Sequence, residues 1–138
     1  MKRLDFMALA GAVVLVPVGA IAGETEGYTR YRPGVVADLL ADGKTVFVDF
    51  YTDWCSTCRA QERAINALRL ENPAYNDAMV FVKVDWDVYY GSAIAYDYKI
   101  PRRSTLLVLR GDQELGRNVA DASKASIKSL MDLGLTGS

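Results

Sequence analysis

Two rhythms of apolar residues run along this chain, and they predict different elements. TVFVDFY, residues 45–51, is β-branched, aromatic and nearly all apolar, which predicts a strand buried on both faces. AMVFVKVDW, residues 78–86, predicts a second such strand. Before the first, RPGVVADLLADGK carries an apolar stripe at Val35, Val36, Leu39 and Leu40, with Pro33 suited to an early helical position and Gly43 to the end. From Cys58 the spacing of Ala60, Ala64, Ile65, Leu68 and Leu70 is helical, and Asn72-Pro73 ends that helix. VYYGSAIAYDY reads as a helix or an irregular turn. STLLVLR, Gly111-Asp112 and QELGRNVA form a predicted hairpin, and SKASIKSLMDL a closing amphipathic helix with Ser123 as N-cap and Gly134 beyond its end. Helices that alternate with buried strands predict an α/β domain, and the late hairpin makes its central sheet mixed, flanked by helices.

The first residues follow a different pattern. Lys2 and Arg3 precede an apolar run from Phe6 to Val16, Pro17 interrupts it, and Ala20-Ile21-Ala22 fits a small-x-small cleavage site. This is the layout of a secretory signal peptide, expected to span residues 1–22 and to be cleaved after Ala22. A retained membrane anchor is the alternative, although the run is short of the roughly 20 residues a span requires. Residues 23–32 are polar and are expected to form an arm ahead of a domain at 33–138. Export would place the mature chain in an oxidising, periplasmic space, where two neighbouring thiols form a disulfide unless something reduces them.

Composition narrows the chemistry. With 138 residues the chain has room for one domain, and a net charge of −1 offers no basic excess for nucleic acid. Histidine is absent, which removes the commonest general base and the commonest metal ligand. The two cysteines, Cys55 and Cys58, stand just after the first predicted strand. They could be a redox dithiol, half of a metal site or a structural bridge. A closed zinc site wants four ligands, mostly Cys or His. So short a bridged loop would constrain little unfolded-chain entropy. The redox reading is favoured for a physical reason. A cysteine opening a helix meets unpaired N–H groups and the positive end of the dipole, which stabilise a thiolate. The second, one turn on, can resolve the mixed disulfide that the first forms. No metal and no cofactor is expected.

The stretch VDFYTDWCSTCR, Val48 to Arg59, resembles the active-site signature of the thioredoxin superfamily. It is most similar to exported thioredoxin-like proteins and to the C-terminal domain of the bacterial transmembrane disulfide reductase. The resemblance implies a thioredoxin fold over nearly all of residues 33–135, with Cys55 as nucleophile and Cys58 as resolving thiol. It implies that Trp54 shapes the docking surface, and that Asp49 is a buried carboxylate acting through water as proton acceptor for Cys58. Burial should raise the pKa of Asp49 toward the working range. Lys83 and Asp87 fall where the family carries a lysine near that acid and an aspartate after the strand. One position departs from the family. The loop YKIPRRSTLLVL puts Ser104 where the family has a cis-proline that holds backbone groups open for an extended substrate. A non-proline cis bond costs about 2.5–4 kcal/mol, so Arg103–Ser104 is expected to be trans. A shifted loop with Ile100–Pro101 cis is the alternative. Arg102 and Arg103 are expected beside the dithiol, and Trp54, Arg103, Ser104 and Thr105 are expected to meet the client protein. Tyr89, Tyr90, Tyr96 and Tyr98 read as core and rim packing.

The resemblance implies an exported thiol–disulfide oxidoreductase. Uncharged Ser56 and Thr57 tilt it toward reducing disulfides in other exported, cysteine-bearing proteins, as a monomer supplied with electrons by a membrane disulfide reductase. The rivals are a disulfide-forming oxidant, a metal-handling module and a non-catalytic interaction domain on the same scaffold.

Overall fold

Period-two alternation along one central strand decides what each face of the sheet buries. The computed structural model describes residues 27–137, which form β1 (Thr29–Arg30), α1 (Val35–Ala41), β2 (Thr45–Tyr51), α2 (Ser56–Glu71), α3 (Ala74–Ala78), β3 (Met79–Asp85), α4 (Trp86–Tyr89), α5 (Ala93–Asp97), β4 (Thr105–Arg110), β5 (Gln113–Val119) and α6 (Lys124–Leu133). The signal segment expected at 1–22 lies outside the described residues. The strands order as β1-β3-β2-β4-β5. β1, β3 and β2 run parallel, while β4 is antiparallel to β2 and β5 antiparallel to β4. This is the thioredoxin fold, a mixed five-stranded sheet with helices on both faces.

In β2 the side chains of Phe47 and Asp49 point one way, and those of Val46, Val48 and Phe50 the other. The Phe47 face packs with Ile65 and Leu68 of α2, Tyr75 of α3, Phe81 of β3, and Ile127 and Met131 of α6. The opposite face gathers Val82, Val84, Leu107 and Leu109 under Val36 of α1 and Ile94 of α5. Asp49 is therefore a carboxyl set into the face that α2 covers.

Two boundaries differ from the sequence expectation. The arm expected at 23–32 belongs in part to the domain. Thr29 and Arg30 pair with Val82 and Lys83, and Tyr28 and Tyr31 are buried. Each has an aromatic partner, Tyr28 on Phe81 and Tyr31 on Tyr89, and that apolar burial extends the domain ahead of residue 33. Pro33 stands in the turn before α1, and Gly34, at φ +94°, is the N-cap. The hairpin expected at Gly111-Asp112 forms, with Gly111 at φ +60°. Ser123 caps α6 by accepting from the Ser126 N–H at 3.3 Å.

Candidate active site

β2 ends at Tyr51, the chain turns through Thr52–Trp54, and Cys55 becomes the N-cap of α2. Its backbone is extended (φ −83°, ψ 114°), and its sulfur accepts the Cys58 backbone N–H at 3.1 Å. An N-cap side chain satisfies N–H groups that the first helical turn leaves unpaired, and here that acceptor is a thiol at the positive end of a 16-residue helix. Cys58 lies one turn in. Both are free thiols and nearly buried, 4% and 3% exposed. Burial by itself would raise the Cys55 pKa. Hydrogen bonds from the Cys58 thiol, the Ser104 hydroxyl, the Cys58 N–H and the Arg103 side chain outweigh it and bring the thiol down to about 7. Cys58 moves the opposite way, raised first by burial and then by its hydrogen bond to Cys55. The pair thus divides into an attacking thiolate and a protonated resolving thiol.

The antiparallel register of β2 and β4 sets Thr105 opposite Phe50 and so carries Ser104 over the end of β2. Arg103–Ser104 and Ile100–Pro101 are both trans; the described residues contain no cis peptide. Ser104 Oγ approaches Cys55 Sγ at 3.2 Å and Cys58 Sγ at 3.0 Å. Ser104 and Thr105, expected to meet a client, are both fully enclosed. The Ser104 N–H donates to Phe50 O at 2.7 Å, and its carbonyl accepts from the Ala120 N–H at 2.9 Å and from Gln61 Nε2 at 3.0 Å. Thr105 Oγ1 donates to Arg102 O at 2.7 Å. With these groups already paired inside the fold, Ser104 has no backbone edge to offer. The exposed rim is Trp54, 58% accessible, with the Arg103 guanidinium 4.2 Å from its ring centroid and Asp87 accepting from its Nε1 at 2.8 Å. Of the two arginines, Arg103 stands beside the dithiol, while Arg102 turns outward.

Asp49 is fully buried, and neither carboxyl oxygen has a hydrogen-bond partner. Its pKa is pushed up to about 7, chiefly by burial; Lys83 pulls it down, while Glu62 and Cys55 push it further up. Lys83 is Asp49's neighbour across the parallel register. It is buried rather than solvated at a strand end, and its ammonium is engaged elsewhere, 3.1 Å from Glu62 and over the rings of Tyr51 and Tyr28. Tyr89 and Tyr98 pack against the core, whereas Tyr90 and Tyr96 are exposed on the rim.

Two residues of the site escape sequence reasoning. Glu62 holds Lys83. Gln61 is fully buried and ties the Ser104 loop to Asp121 O at 3.3 Å. Gln61 is in phase with Cys58 and Ile65 on the buried stripe of α2, so a polar residue on an apolar face was the available signal.

The sequence profile of the family described as Thioredoxin matches residues 35–133. The thioredoxin of Mycolicibacterium smegmatis is 27% identical over 90 residues, covering 65% of this chain and 78% of its own. The crystal structure of Trxlp from Edwardsiella tarda superposes with a TM-score of 0.63 at 27% identity, covering 74% of this chain and 98% of its own. Part of the thiol:disulfide interchange protein DsbD of Citrobacter koseri is 29% identical over 75 residues, which is 46% of this chain and 13% of that protein.

Proposed function

This chain belongs to the thioredoxin family as a thiol–disulfide oxidoreductase built on Cys55 and Cys58, and from that premise we propose that it is an exported disulfide reductase. Its clients are other exported proteins that carry cysteines. Its electrons come from a membrane disulfide reductase, and it works as a monomer.

The observation that carries the direction of electron flow is the moderate state of Cys55, about 7, with neutral Ser56 and Thr57 between the cysteines. A reducing thioredoxin thiol lies near 7, whereas the strong oxidant DsbA holds its thiolate near 3.5. Deep stabilisation of the reduced thiolate is what makes a dithiol oxidising, and that depth is missing here. Export is supported by Lys2, Arg3, the apolar run to Val16 and Ala20-Ile21-Ala22. The likeness to part of a thiol:disulfide interchange protein supports disulfide exchange as the chemistry. The Arg103 guanidinium beside Cys55 favours the opposite direction, a disulfide-forming oxidant.

The equilibrium reduction potential of the Cys55–Cys58 pair decides between them. A value near about −270 mV fits a donor-dependent reductase, and one near about −120 mV overturns the proposal. N-terminal sequencing of the protein from an extracytoplasmic fraction tests export. A start at Gly23 is expected; an uncut chain confined to the cytosol refutes it.

A further inference from the structure

Both sulfurs of the dithiol share a single hydroxyl. Ser104 Oγ, fully buried, is within 3.2 Å of Cys55 Sγ and 3.0 Å of Cys58 Sγ. The residue is clamped there by Phe50 O, Ala120 N–H and Gln61 Nε2, and it adopts φ +63°, a left-handed conformation costly for a non-glycine residue. Such a conformation persists only where the surroundings over-determine it, and it clusters at working sites. A hydroxyl carries one proton and two lone pairs, so it can donate to one of these sulfurs while accepting from the other.

We propose that Ser104 is a catalytic residue whose hydroxyl donates its one hydrogen bond first to the Cys55 thiolate and then to the Cys58 thiolate. The inference rests on the dithiol chemistry alone and holds for either direction of electron flow and any compartment.

In the reduced resting state the Cys58 thiol and the Ser104 O–H both donate to the Cys55 thiolate. That thiolate also receives the Cys58 backbone N–H. Cys55 attacks a client disulfide, forming the Cys55–client bond, breaking the client's own S–S bond and releasing one client thiolate, which takes a proton from solvent. The Cys55 sulfur is now neutral and a poor acceptor. The hydroxyl rotates about its C–O bond and donates to Cys58 as that thiol gives its proton to a base, for which unpartnered Asp49 is the candidate. The Cys58 thiolate attacks Cys55 Sγ, closing the Cys55–Cys58 disulfide and expelling the second client thiolate, which is protonated in turn. Two electrons pass from the dithiol to the client, with one proton leaving Cys58 through the base and one supplied by solvent. A fixed backbone donor could serve one sulfur in one state; a rotating hydroxyl placed between the sulfurs serves both.

The test uses the full chain with S104A and S104G. Both remove the hydroxyl, yet they change the backbone in opposite senses, because glycine accepts φ +63° freely and alanine does not. Thiolate absorbance near 240 nm against pH reads the Cys55 midpoint. Reaction with 5,5′-dithiobis(2-nitrobenzoate) reads the two steps, since attack releases the first thionitrobenzoate and resolution by Cys58 the second. A hydrogen bond to a charged sulfur predicts, in both variants alike, a thiolate-to-thiol ratio at pH 7 roughly tenfold lower and a second release slowed by roughly tenfold. Unchanged values in S104G overturn the proposal, even where S104A shifts them, because the effect then belongs to the backbone. A wild-type protein that releases no second equivalent would instead indict the dithiol chemistry itself, a failure separate from that of Ser104.

Discussion

Replacing Asp49 with Asn should make the reduced protein more stable above neutral pH and leave it nearly unchanged in acid. The carboxyl is wholly enclosed with no hydrogen-bond partner, and its pKa rises from the ordinary 3.8 to about 7. Below 3.8 both the folded and the unfolded chain hold the proton, so the group contributes no pH dependence. Between 3.8 and 7 the folded chain keeps a proton that the unfolded chain has released, so wild-type stability falls as pH rises. Above 7 both are ionised and the full cost of a buried charge is present. That interval corresponds to about 4 kcal/mol at 1.36 kcal/mol per pH unit. For a domain whose total stability is of order 5–15 kcal/mol, the change is large. Asn keeps the shape of the side chain and never ionises. The difference in unfolding free energy, D49N minus wild type, should therefore climb by up to about 4 kcal/mol from pH 4 to pH 8. Urea denaturation of both reduced proteins, followed by tryptophan fluorescence at half-unit pH steps, measures it. A difference that stays flat across that range would show that Asp49 titrates like a solvated carboxylate, and the assignment of a buried proton acceptor would fall with it.

Three further outcomes follow from the same contacts. Glu62→Gln removes the partner of Lys83, leaving the ammonium to act on Asp49 without compensation. The Asp49 midpoint, read by ¹³C carboxyl NMR with Cys55, Tyr28 and Tyr51 as the other titratable neighbours, should move down; an upward or absent shift refutes the link. Arg103→Ala removes a donor to Cys55 and the stack on Trp54, so the thiolate fraction at pH 7 should fall and stability should drop by ~0.5–1 kcal/mol. Unchanged iodoacetamide reactivity would count against a role for the guanidinium. Gln61→Ala leaves the Ser104 carbonyl with the Ala120 N–H alone and should cost about 1–3 kcal/mol by chemical denaturation. A neutral result would mean that Gln61 does not clamp the loop.

Much of this protein is written in local pattern. Thr45–Tyr51 as a buried strand, the α2 helix up to Asn72, the hairpin at Gly111 and the Ser123 cap all rest on periodicity or on a residue's own backbone preference, which neighbours in sequence suffice to express. The same holds for the chemistry of Cys55, Cys58 and Asp49, because an N-cap thiol lies within one helical turn of its donor and an acid inside an apolar strand betrays itself. Weak local signals misled. The polar run at 23–32 conceals an edge strand held by two tyrosines, and the five-residue α3, which Pro73 opens once α2 has ended, carried no signal of its own. Ser104 marks the limit. Its place in the loop is visible from the sequence. Its contact with both sulfurs joins residues 49 and 46 positions apart, and that contact exists because β4 pairs antiparallel with β2 in one register. The Lys83–Glu62 pair likewise requires β3 to lie parallel to β2 beneath α2. Periodicity encodes which face of an element is buried, but not which distant residue it meets. That partner is chosen by strand order and register, and these are settled only when the whole sheet closes around its core.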